Sequence, residues 1–153
     1  MASIYYDEIF EQFLGEVTDH NLVKLVDADA DELMVGWLKK AISDPMIKKQ
    51  FSSFKNDKQI QEITYELKNS EDEESDKDFV VELIAKQMVY VWANAMLKKD
   101  ENLSNFFGSK EQKFYSPAQF MTALNEVVRD SKNDVRQMVG DRGISVNSYL
   151  GGS

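Results

Sequence analysis

Apolar positions along the chain recur at helical spacing in four main stretches and one short one. Ile4, Tyr5, Ile9 and Phe13, with Tyr6, Phe10 and Leu14 alongside, predict a helix over 4–14, with Ser3 as N-cap and Gly15 as its end. Leu33, Trp37, Leu38, Ala41 and Ile42 predict a second over 27–43. Asp44-Pro45 then restarts a short helix, Asp as N-cap and Pro in the first turn, which Met46, Ile47, Gln50, Phe51 and Phe54 carry to about residue 55. The strongest pattern covers 76–98. Phe79, Val80, Leu83, Ile84, Met88, Trp92 and Met96 keep one face apolar, and Val81, Val89 and Tyr90 extend it nearly all round. Such a helix belongs at the centre, with Asp76 or Asp78 as its cap. Ser116-Pro117 opens the last one, lined by Leu124, Val128, Val135 and Val139 and stopped at Gly140.

Residues 56–69 are ambiguous. Ile63, Tyr65 and Leu67 alternate like a short strand, while Ile60 and Ile63 also fit a helical face. Residues 101–115 read as a loop with a short helical piece. Ile144, Val146, Tyr149 and Leu150 sit among Gly and Ser, a pattern that suggests an extended arm able to pair with another chain. The expected architecture is therefore all-α: a helical bundle domain over 1–140, with an acidic loop at 68–78, and an extended C-terminal arm over 141–153.

Charge changes this picture most. The 153 residues carry a net charge of -9. Residues 1–78 hold 19 acidic and 9 basic side chains against 8 and 9 in the remainder, so the excess lies in the first half. An acidic chain is a poor ligand for duplex DNA. No apolar run approaches the length of a membrane helix, so no membrane contact is expected. The N-terminus lacks the pattern of a signal peptide. Cysteine is absent, which excludes disulfides and thiol catalysis and fits a reducing compartment.

Candidate chemistry is thin. Asp27-Ala28-Asp29-Ala30-Asp31 opens like a calcium loop, but Glu32 and Leu38 stand where the loop needs Gly and Glu. A charged helix N-terminus is the better reading. His20, the single histidine, has no activated nucleophile to serve. Glu8 and Glu11 form a carboxylate pair at helical spacing, but lie among solvent-facing positions. No cofactor, metal site or enzymatic activity is expected. Phe106, Phe107, Lys110, Lys113, Phe114 and Tyr115 differ. They gather aromatics and lysines in one loop-like stretch, a composition that suits a subunit interface as well as a core.

The order of features resembles a family of small helical head-to-tail connector proteins of tailed bacteriophages that infect Gram-positive bacteria. The residues that carry it are Tyr5-Tyr6-Asp7-Glu8-Ile9, Leu38-Lys39-Lys40-Ala41-Ile42, Met88-Val89-Tyr90-Val91-Trp92 and, most specifically, 106–118. The acidic loop and the tail end depart from the pattern. The resemblance implies a virion neck protein, an adaptor assembled as a ring, usually twelvefold, beneath the portal. It would join the portal to the stopper or tail-side neck protein and extend a channel through which DNA passes without specific binding. It implies assembly in the host cytoplasm, and a C-terminal segment (Ile144, Val146, Tyr149, Leu150) that docks on the portal. A stopper or tail-completion role stands beside it. An acidic DNA-mimic inhibitor of a host enzyme and a small hydrolase are more distant alternatives.

Overall fold

The computed structural model describes residues 2–17, 27–98 and 117–151. The described chain runs β1 (Ala2–Tyr5), α1 (Tyr6–Glu16), α2 (Asp27–Ser43), α3 (Pro45–Lys48), β2 (Phe51–Asp57), β3 (Glu62–Leu67), α4 (Glu73–Lys98) and α5 (Pro117–Gly151). The all-α expectation is thus corrected: the helices share their core with a three-stranded antiparallel sheet of order β1-β3-β2.

Two of the strands fall where helix was expected, for a physical reason in each case. At the N-terminus, Ile4 pairs with Ile63 and faces the core, Tyr5 faces out, and Tyr6 is buried again. That alternation has period two. Spacing across the strand–helix junction merely imitates one longer helix. Glu8 ends the strand by accepting a hydrogen bond from the Tyr5 amide (3.0 Å), which starts α1. In β2, Phe51 and Phe54 stand three residues apart, as on a helix. A register irregularity between Phe51 and Ser53 reconciles that spacing with a sheet. Phe51 then pairs with Leu67 and Phe54 with Tyr65, so both rings reach the face that β3 buries. The Phe51 ring meets Phe54 edge-on at 4.9 Å between centroids and Tyr65 at 6.0 Å.

One sheet face is therefore apolar and packed, through Ile4, Phe51, Ile63, Tyr65 and Leu67, and the other is polar. The β2–β3 turn holds Gln61 at φ 53°. There the Asp57 carboxylate accepts from the Gln59 amide at 3.0 Å.

The helices α2 and α4 agree closely with the apolar pattern, whereas α3 ends at Lys48, well short of residue 55. Asp44 caps α3 by accepting from the Met46 amide at 2.8 Å. The central helix α4 packs on α1, α2, α5 and β1. Val80, Leu83, Ile84, Ala85, Met88 and Ala93 are fully buried there. Gln87 tolerates burial because its amide reaches the Asp44 carboxylate at 3.3 Å. The expected cap of α4 is displaced: Asp72 accepts from the Ser75 amide at 2.8 Å, and Asp76 lies buried inside the first turns.

Two further expectations are corrected at the C-terminus. α5 does not stop at Gly140, and residues 141–151 are helical, not an extended arm. Gly140 and Gly143 sit in open space where a Cβ would meet nothing within 4 Å, so their place in the helix costs propensity but no packing.

Candidate interaction surfaces

The described surface carries three features beyond ordinary packing. The first is a buried clasp. Asp76, 7% exposed, accepts from the Glu71 amide at 2.9 Å and forms an ion pair with Arg142 of α5. The Arg142 guanidinium also donates to the Asn69 carbonyl, at 3.2 Å from Nε and 3.1 Å from Nη2. Its carbon centre stands 4.4 Å from the centroid of the Phe79 ring. One arginine thus joins α5 to the β3–α4 connection and to the start of α4. The neighbouring Tyr65 hydroxyl is buried with no hydrogen-bond partner among the described residues. Burial raises its pKa, and the charges of Asp76, Glu73 and Glu8 raise it further against the opposing Arg142.

The second is an ion network across three helices. Lys86 of α4 meets Glu16 of α1 at 3.1 Å and Asp134 of α5 at 3.6 Å. Burial disfavours the charged amine. The Glu16 hydrogen bond, with the charges of Glu16, Asp134 and Glu82, outweighs that and holds the pKa above the ordinary lysine value.

The third is an open groove of about 510 Å³ between the C-terminal end of α2, α3 and β2. Lys39, Lys48 and Lys58 line it with Phe51, Phe54 and Ser53, and no carboxylate does.

Of the residues singled out from the sequence, Phe106, Phe107, Lys110, Lys113, Phe114, Tyr115 and His20 lie outside the described residues. Ile144, Val146, Tyr149 and Leu150 fall on the helical backbone of α5, and their side chains lie outside what the structure describes. The stretch with the calcium-loop spacing is helix from Asp27 onward. Glu8 is held by Lys77 at 2.7 Å as well as by the Tyr5 amide. The Lys77 bond, then the amide, lower its pKa. Glu11 is exposed. Among the described residues no group of three or more His, Cys, Asp or Glu could hold a metal ion, and no helix is long and apolar enough to cross a membrane.

The clasp and the groove are absent from the expectations drawn on the sequence. Asp76 and Arg142 stand 66 positions apart, and nothing local couples them. The groove lysines come from three places in the chain, and the sequence pattern misassigns the strand between them. Comparison with models of protein families, with curated proteins and with solved structures finds no match.

Proposed function

We propose that this chain is an assembly protein, the head-to-tail connector adaptor of a tailed bacteriophage. In this reading it forms a ring between the portal and the stopper or tail-side neck protein. The reading comes from the resemblance in residues 5–9, 38–42, 88–92 and 106–118. The observation that carries it in three dimensions is the one-sided packing of α5. That helix has 35 residues. Its length is roughly 50 Å, at about 1.5 Å per residue. Its principal packing partner is α4. It runs on to Gly151, beyond its last described fastening at Arg142. Half-buried Met121, Val127, Val128, Met138 and Val139 flank the seam. A long helix held along one side leaves its other sides and its end for neighbours.

The portal contact is assigned to the end of α5, with Ile144, Val146, Tyr149 and Leu150. It is delivered on a helix in the free protein, not on a preformed strand. A channel that conducts DNA should not retain it, and an acidic chain is consistent with that.

Truncation tests the assignment. Cutting after Gly140 would remove Arg142 and strip Asp76 of its partner, so the informative cut is after Gly143. The shortened protein should keep the far-ultraviolet circular dichroism of a folded body and lose co-sedimentation with portal rings. Undiminished portal binding by the shortened protein would defeat the assignment.

A further inference from the structure

Among the described residues no further strand pairs with either edge of the sheet, and the two edges carry opposite charge. β2 forms one edge, and β1 the other. The Tyr6 amide donates to the Gln61 carbonyl (2.9 Å), so residues 61, 63 and 65 turn their backbone groups toward β1 and residues 62, 64 and 66 toward β2. Across that register, Lys55 and Asp57 bond to β3. Phe54 and Asn56 therefore turn their amides and carbonyls outward, beside the lysine groove.

Lys39, Lys48 and Lys58 gather there without a carboxylate, and none of the three makes an ion pair with a described residue. In a chain with 27 acidic and 18 basic side chains, such a convergence needs an explanation. Edge lysines discourage a second positive or uncharged strand, but they welcome a negative surface.

The opposite edge is such a surface. Glu73 and Glu74 in the first turn of α4 are exposed there. The Glu8–Lys77 bridge holds the starts of the two helices side by side, next to β1. Tyr5, on β1 itself, is 52% exposed. It offers an aromatic anchor within the acidic edge.

We propose that the two edges are the halves of one head-to-tail contact between copies of this chain. The lysine groove of one copy receives Tyr5 and the carboxylates of Glu73 and Glu74 of the next. A contact between different faces of identical subunits propagates, and it closes into a ring when the rotation per subunit allows. The proposal rests on the adaptor reading only for that closure. A nucleic acid is the other ligand for a lysine groove, but the chain's net charge of -9 works against it.

The test uses the full chain in two charge-reversed forms. One carries Lys39→Glu, Lys48→Glu and Lys58→Glu. The other carries Glu73→Lys and Glu74→Lys. Circular dichroism checks each fold, and Lys→Ala or Glu→Gln sets replace any variant that unfolds. In sedimentation velocity at low salt the unaltered chain should form oligomers that dissociate as salt rises. Each variant alone should be monomeric. Their equimolar mixture should regain salt-sensitive oligomers, because each variant offers the other a half of opposite charge. A monomeric unaltered chain at low salt, or a mixture that stays monomeric, overturns the contact. So does a groove that binds an oligonucleotide through the same lysines while the chain stays monomeric. The two readings fail separately. Charge-reversed variants that still ring on the portal remove this contact and leave the adaptor. Self-association through the edges without portal binding does the reverse.

Discussion

The helices α4 and α5 lie against each other, yet they are held in opposite ways. α4 is enclosed by α1, α2, α5 and β1, and its buried positions run from Asp76 to Ala93. α5 is longer, but among its described side chains only Leu124, Ser131 and Val135 are buried. Its exposed middle is polar, and Ser131 satisfies itself by donating to the Val127 carbonyl at 2.6 Å. The difference separates two jobs. α4 organises the fold through apolar burial from all sides. α5 is attached along one seam and fixed at two polar points, Lys86 and Arg142. Damage to α4 should therefore be global, and damage to the polar points local.

The largest effect should come from truncating the centre. Ile84→Ala or Met88→Ala removes a fully buried side chain of α4. Either should cost about 2–5 kcal/mol, read from urea unfolding followed by circular dichroism. Breaking the clasp should be comparable in free energy but different in kind. Arg142→Met strands the Asp76 carboxylate in a buried place. The expected loss is about 3–5 kcal/mol for a pair of this burial. Hydrogen exchange should then speed up at the C-terminal end of α5 first, while α4 stays protected. Equal acceleration in both helices would erase the contrast.

Smaller effects sharpen the same comparison. Lys86→Met leaves the Glu16 carboxylate short of its cation. It should lose about 2 kcal/mol in the same urea series. The double variant with Glu16→Gln should lose less than the sum of the singles, because the two side chains share one interaction. Tyr65→Phe should be neutral or slightly stabilising, since the hydroxyl is buried without a described partner. The sign with pH follows from the raised Tyr65 pKa. The neutral ring contributes stability that is complete below the ordinary tyrosine value and lost as pH rises through the raised one. Tyr65→Phe should remove that alkaline loss from a thermal-melt series. Glu8 has the opposite sign: its pKa is lowered, so its contribution is present above the ordinary glutamate value and lost as pH falls through the lowered one. The Glu8–Lys77 pair is largely exposed, so Glu8→Gln should flatten the acid side of the profile only slightly.

Much of this contrast was legible in the amino-acid pattern. The all-round apolar character of residues 79–96 places α4 at the centre, and Asp44-Pro45 marks the start of α3. The strands were harder. Ile4 and Tyr6 supply only one period of alternation before the helix begins, and the irregularity at Ser52 gives Phe51 and Phe54 a helical spacing. Both signals are cancelled by pairing with β3, a partner that no local window contains. The reach of α5 past Gly140 was hidden for a related reason. Glycine usually stops a helix when the chain must turn. Here the helix goes on to Arg142, where the clasp holds it. The groove was invisible because Lys39, Lys48 and Lys58 meet only once β2 is formed.

The central claim is assembly on a portal, and direct imaging tests it best. The purified chain would be mixed with purified portal rings and the product imaged by electron microscopy. The predicted result is a second ring stacked on the portal, with the C-terminal end of α5 running onto the portal surface. Portal rings that remain bare, while the chain binds a tail-tube end or a host enzyme instead, would contradict it.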